Sequence, residues 1–224
     1  MNKRYRAGVV LSGCGHLDGT EIHEAVFSLL YLDREGFEVR CFAPDKPLHH
    51  VVNHVTGQAG DETRNVLVES ARIARGRVTP LSQATMADLD ALVLPGGYGA
   101  AKNLSDVAFA GRAAKVDEDV VRLIGEAWAA KKPIVAICIA PAVVAAALHQ
   151  LGHSAKVTIG NDAGTADMIE GLGCTHEHCI VSAACVDGIH RIITTPAYML
   201  GPGPKDVAAG IEAAIVALRK MLST

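Results

Sequence analysis

The chain has 224 residues, enough for one large domain, and half of them are hydrophobic while aromatics make up only 4%. Abundant Ala, Val, Ile and Leu with few aromatics suits helices packed on a parallel sheet, whose buried strands read as aliphatic runs. A formal net charge of −3 favours neither nucleic acid nor an anionic membrane as partner, and no run reaches the ~20 apolar residues of a membrane helix.

The start, Met1-Asn2-Lys3-Arg4-Tyr5-Arg6, is basic but leads straight into a short strand-like run, without the apolar stretch of a secretory signal. The expectation is a cytoplasmic protein. Its six cysteines, Cys14, Cys41, Cys138, Cys174, Cys179 and Cys185, have no disulfide-scaffold spacing, so reduced thiols are expected.

Residues 7–11 read as a first buried strand, followed by a glycine loop over 12–19. Thr20 is placed to cap a helix running from Glu21 to about Glu35, with Ile22, Ala25, Val26, Leu29 and Leu30 at helical spacing. Gly36 ends it, and a strand over 37–43 is closed by Pro44. Residues 48–60 show no clear period and carry His49, His50 and His54. A helix is expected over 61–74, then a strand over 90–94 that stops at Pro95-Gly96-Gly97. An amphipathic helix over 117–130 leads into a strand over 134–137 and a helical run over 141–150. A strand over 156–159 and a helix over 163–172 follow. Segments 179–186 and 191–195 bracket Asp187-Gly188, a hairpin signal, and a closing helix spans 205–222. Strands alternating with helices imply βαβ units in a single α/β domain with a mostly parallel sheet and no dividing linker.

The strongest chemical signal is Ala136-Ile137-Cys138-Ile139-Ala140-Pro141. It has the logic of a nucleophile elbow: a nucleophile on a sharp strand-to-helix turn, with small residues at the crowded positions Ala136 and Ala140. Pro141 fits the first turn of a helix. A cysteine at a helix N-terminus gains from the dipole and the free N–H groups, which favour its thiolate. The competing reading is a core cysteine after a strand.

The Pro-Gly-Gly turn ends another parallel strand, the edge where ligands bind in open α/β sheets. Backbone N–H groups of Gly97 and of Ile139, the residue after the nucleophile, can serve as oxyanion donors there, with Gly96 supporting the turn. The competing reading is an ordinary loop. Glu21 and Glu24 lie one turn apart at the start of the first helix, and on pattern alone they do no more than complement its dipole.

Three segments together resemble the ThiJ/PfpI superfamily, the class I glutamine amidotransferase-like fold: the glycine loop with Glu24, the turn 94–97 with residues 100–104, and residues 136–141. The strings 11–15, 18–25, 42–45, 62–67, 99–104, 138–141 and 194–199 bring the resemblance closer to one branch, the isoprenoid-biosynthesis glyoxalases. The resemblance implies a flavodoxin-like three-layer sandwich with helices on both faces of the sheet. It implies Cys138 as nucleophile and Glu24 as the carboxyl that touches it, with Glu21 the fallback. It also implies a homodimer and a cofactor-independent lyase that converts glyoxal or methylglyoxal to the 2-hydroxy acid. A protein-deglycase activity is attached to the same chemistry. One departure is notable: residues 156–162 carry no histidine, where many members of the superfamily place one, so a Cys–His–acid triad and glutamine hydrolysis are not expected.

Cys174-Thr175-His176-Glu177-His178-Cys179 is dense in metal-ligand types, but such near neighbours rarely converge on one ion, and a solvated loop is expected instead. Cys14 is either a second functional thiol or a small residue in a tight turn, and His16 shares its loop. The leading expectation is therefore an enzyme acting on a small reactive aldehyde, without metal or cofactor. The alternative is a thiol-based stress sensor or regulatory protein, since a low-pKa cysteine would serve that too.

Overall fold

The structure, a computed structural model, describes residues 4–223; residues 1–3, the first half of the basic start, and Thr224 lie outside the described residues. In chain order the strands are β1 (Arg6–Val10), β2 (Glu38–Ala43), β3 (Val51–Asn53), β4 (Gln58–Gly60), β5 (Val78–Pro80) and β6 (Ala91–Leu94). They continue with β7 (Ile134–Ile137), β8 (Lys156–Val157), β9 (Thr175–His176), β10 (Cys185–Asp187) and β11 (Ile192–Thr195). The helices are α1 (Ile22–Arg34), α2 (Val66–Ile73), α3 (Tyr98–Lys102), α4 (Val107–Ala110), α5 (Glu118–Ala129), α6 (Ala140–Gln150), α7 (Ala163–Gly171) and α8 (Pro204–Ser223).

Seven strands form the central sheet in the order β10-β11-β7-β6-β1-β2-β5. Every pairing is parallel except that of the edge strand β10 with β11. The period-2 alternation of each strand feeds two separate cores. Leu92, Leu94, Ile134 and Ala136 face one cluster, built with α3, α5 and α6. Ala7, Val9, Ala91, Val93, Val135 and Ile137 face the other, built with α1 and α8. This is the three-layer sandwich expected. Fully burying one such aliphatic side chain contributes roughly 1.5–3 kcal/mol, so the sheet is held from both sides. From β1 the chain goes to β2 and β5 on one side, then crosses to β6, β7 and β11 on the other. The crevice at the carboxyl ends of β1 and β6 is the switch point of the fold.

Several local expectations change. Glu21, not Thr20, caps α1: its side chain accepts the Glu24 N–H at 2.7 Å. The Thr20 hydroxyl instead accepts the Ser12 N–H at 2.7 Å and so braces the glycine loop. α2 begins at Val66 rather than at residue 61, because the Asn65 side chain caps it. The stretch over 48–60 contains the antiparallel hairpin β3–β4. β5 was not expected, being three residues long and closed by proline. β8 is absent from the central sheet and pairs with β9. It is tied to the sheet by side chains: Asp187 accepts the Lys156 N–H and Thr194 accepts the Thr158 N–H, both at 2.8 Å. The hairpin turn is longer than Asp-Gly, since Asp187 pairs with Ile192. The Asp187 carboxylate folds that turn by accepting the N–H groups of Ile189 and His190. Residues 179–184 are not strand. No helix among the described residues is long and apolar enough to cross a membrane.

Candidate active site

The aliphatic, fully buried β7 runs into Cys138, whose φ is 63°. Left-handed backbone at a non-glycine residue is strained and persists only where the surroundings hold it. Here the Cys138 N–H donates to Thr195 O at 2.9 Å, at the end of β11, and α6 begins two residues later with Pro141 in its first turn. Ala136 and Ala140 are fully buried on either side, so larger side chains have no room at these positions. The elbow geometry is thus present.

The glycine loop between β1 and α1 sets the second group. Asn103, at the end of α3, donates to Ser12 O at 2.9 Å and Asp18 O at 2.8 Å, and accepts the His49 N–H at 2.9 Å. The Glu21 N–H donates to Gly96 O at 3.0 Å, which joins the start of α1 to the end of β6. Glu24, fully buried, then points into the sheet edge. Its carboxylate accepts the Gly96 N–H at 2.9 Å and the Tyr198 N–H at 3.3 Å, and it lies in hydrogen-bond contact with Cys138. Gly96 is what permits this approach. A Cβ there would lie 2.5 Å from Cys138 Cβ and 2.7 Å from Glu24 Oε2.

Burial, followed by the charge of Glu21, pushes the Glu24 carboxyl up to about 8, against the Tyr198, Cys138 and Gly96 donors that pull it down. The Cys138 thiol is pushed up as well, by burial and then by the Glu24 charge; the N–H groups of Gly97 and Ile139 pull it the other way. The helix-terminus effect expected from sequence is therefore outweighed, because the sulfur is buried beside an acid. The Glu24 contribution exists only while that carboxyl is ionised. With Glu24 protonated, burial still disfavours the anion, and the N–H groups of Gly97 and Ile139 are what act in its favour.

Cys138 opens into a cavity of about 810 Å³, with Glu24 buried behind it. Cys138, Gly97 and Ile139 line it with Glu21, His16, His23 and Tyr198 on one side, and Met168, Met199, Ala101 and Val107 elsewhere. Of the expected residues, Cys138, Glu24, Gly96, Gly97 and Ile139 come together, and Glu21 reaches the same cavity while capping α1. Cys14 does not line this cavity: the charges that act on its thiol are Glu69 and Arg72 of α2 and Asp18 of its own loop. His16 reaches the cavity through its exposed side chain, not through contact with the sulfur.

Among the cavity residues that the sequence reading missed are Tyr198 and His23. Tyr198 Oη lies 2.6 Å from His23 Nδ1, which links the loop after β11 to α1. The string 194–199 lies after a strand, at the edge where sites form, and that signal would have found Tyr198. No histidine occupies the stretch after β8; Asp162, the cap of α7, reaches the cavity from there. Among the described residues, no three His, Cys, Asp or Glu side chains are grouped to hold a metal ion. In the Cys174–Cys179 segment, Cys174 is buried and Cys179 is half-buried.

Comparison with known proteins supports the fold and the family. A Rattus norvegicus protein, the "ES1 protein homolog, mitochondrial", is 45% identical over 224 residues, covering 95% of this chain and 82% of its own length. The Homo sapiens "Glutamine amidotransferase-like class 1 domain-containing protein 3, mitochondrial" is 45% identical over 229 residues, covering 97% of this chain and 82% of its own. The crystal structure of an isoprenoid biosynthesis protein with an amidotransferase-like domain from Ehrlichia chaffeensis superposes with a TM-score of 0.91 at 41% identity, covering 97% of this chain and 99% of that one. The mitochondrial names of the two relatives conflict with the cytoplasmic location expected from sequence, and that expectation is withdrawn. It rested on the lack of an apolar signal, and transit peptides need none, being basic and amphipathic. Residues 14–194 match the DJ-1/PfpI family, the one that the elbow, the Pro-Gly-Gly turn and the glycine loop had pointed to. The chain belongs to the DJ-1/PfpI family.

Proposed function

We propose that this chain is a glutathione-independent glyoxalase, a cofactor-free lyase that converts glyoxal or methylglyoxal to the 2-hydroxy acid, with Cys138 as nucleophile and Glu24 as general acid and base. The observation that carries the proposal is the contact of Cys138 with a fully buried carboxyl whose pKa is pushed up to about 8. A carboxyl poised near the working pH both donates and accepts a proton readily.

In this mechanism the Cys138 thiolate adds to the aldehyde carbon. A C–S bond forms, the carbonyl π pair moves to oxygen, and that oxygen takes the Glu24 proton. The Glu24 carboxylate then removes the hydrogen on the same carbon, and the electron pair moves onto the neighbouring carbonyl oxygen, which gives an enediolate. A proton passes from the first oxygen to the second, Glu24 returns its proton to the adjacent carbon, and the first oxygen becomes the carbonyl of a thioester. Water cleaves the C–S bond of that thioester to release the hydroxy acid and restore the thiol. The N–H groups of Gly97 and Ile139 hold the thiolate before attack and the negative oxygen beside it afterwards.

The test follows methylglyoxal and lactate together by proton NMR, with wild type and Cys138→Ser. The expected result is lactate in many-fold excess over enzyme for wild type and none for the variant. Activity retained in Cys138→Ser would overturn the nucleophile assignment. No turnover in wild type, with a stable oxidised Cys138, would make the protein a thiol sensor instead.

A further inference from the structure

The cavity over Cys138 is far larger than glyoxal or methylglyoxal requires. At about 810 Å³ it lies in the range, roughly 300–1,000 Å³, of pockets that enclose drug-sized ligands. Its lining is divided by chemistry. Glu21, His16 and His23 come from α1 and the loop before it. Ile139, Met168 and Met199 are half-buried side chains that continue the hydrophobic core, and Ala101 and Val107 of α3 and α4 are buried members of that core. One face of α7 points inward, since its cap Asp162 and then Thr165 and Met168 follow at three-residue spacing. The methionines give the apolar wall a surface that adapts to irregular shapes.

The lining also holds no fixed cation. None of the residues lining this cavity is Lys or Arg, while Glu21 and Asp162 are acidic. A phosphate ester or a carboxylate on the substrate's tail would find no Lys or Arg among these residues and would meet like charge at Glu21 or Asp162. We infer that the cavity takes an uncharged aldehyde with an apolar tail: the carbonyl carbon meets Cys138, and the tail packs on Ile139, Val107, Met168 and Met199. This rests on the proposed glyoxalase chemistry for its aldehyde group only; the tail site stands on the cavity itself.

Two measurements separate the claims. The first needs no turnover. Cys138 alkylation by iodoacetamide and by N-hexyl iodoacetamide is followed by peptide mapping, each rate being divided by the rate of the same reagent with glutathione. Each buried methylene is worth about fourfold, so even partial burial of the hexyl chain should favour the tailed reagent by roughly tenfold or more. Met168→Gln, which keeps length and helix propensity but adds a polar end, should bring that ratio down severalfold. The second compares kcat/KM for pentylglyoxal and methylglyoxal, with at least a tenfold preference for the longer substrate expected. Ratios within about twofold of one in both measurements would overturn the tail site, and methylglyoxal turnover would then leave the glyoxalase proposal standing. A clear preference for the hexyl reagent with no turnover of either aldehyde would support the tail site and overturn the glyoxalase proposal.

Discussion

Glu24 sets the number of protons in the site, and its burial gives that number a pH dependence. An ordinary carboxyl releases its proton near 4.5, whereas here it is held to about 8. A raised folded-state value means that the folded chain keeps a proton which the unfolded chain gives up. The stabilisation is complete below about pH 4.5 and is lost as pH rises through about 8. Glu24→Gln removes this component, so its melting temperature should vary less than that of wild type between those limits, as differential scanning fluorimetry across the pH range will show. The same substitution keeps size and a donor but cannot cycle a proton, so kcat should fall about 10²–10⁴-fold. If Glu21→Gln fell that far and Glu24→Gln did not, the wrong carboxyl has been chosen. Gly96 matters for a different reason. In Gly96→Ala the new methyl meets Cys138 and Glu24 at non-bonded distances that no structure tolerates, so the pair must separate. Overpacking of this kind costs about 1–3 kcal/mol, and activity should fall further than stability, measured by urea titration beside the lactate assay. Cys138 could be read from sequence because an elbow is a contiguous signal. The choice of Glu24 over Glu21 came only through the resemblance, because both sit one turn apart on one helix and differ only in which of them meets the gap left by Gly96.

At the scale of elements, the site depends on how the glycine loop is fastened. Asn103 ends α3 and satisfies two carbonyls of that loop and the N–H of His49 from one buried amide. Asn103→Ala leaves all three groups without that partner, at a cost of about 1–3 kcal/mol. The loop leads into α1, so looser fastening should also raise KM or lower kcat although Asn103 touches no substrate; denaturant midpoint and kinetics check the two effects separately. Unchanged kinetics at reduced stability would show that the remaining bonds, among them Glu21 N–H to Gly96 O and Gly99 N–H to Gly19 O, suffice to hold α1. Long periodic elements such as α1, α5 and α8 were legible because many residues vote for the same period. β5 and the β3–β4 hairpin were not, because three-residue strands carry too few alternations to register. β8 was misplaced for the opposite reason: its residues have strand character, but its N–H groups go to the side chains of Asp187 and Thr194 instead of to a central strand.

At the scale of the molecule, alternation of strands and helices announced a parallel sheet, yet not its order. That order depends on long-range packing, such as α1 against α8 across nearly the whole chain. The order decides which thiols share an environment, and so predicts a ranking among the six. Cys41 and Cys185 are both pushed up to about 11, chiefly by burial, and should react slowly, even though Cys41 borders a second cavity of about 420 Å³ between β2 and β5. Cys174 is buried and also pushed up by burial. Cys14 and Cys179 are half-buried and more accessible, but burial raises both, helped by the negative charge of Glu69 at Cys14 and of Glu177 at Cys179. Cys138 is raised too, but it alone opens to the large cavity with the N–H groups of Gly97 and Ile139 at its sulfur, and the charge that opposes it vanishes when Glu24 is protonated. Near neutral pH, limited iodoacetamide labelling followed by peptide mapping should therefore modify Cys138 first. Cys14 or Cys179 reacting ahead of it would mean that exposure outweighs the cavity and the N–H groups at the Cys138 sulfur.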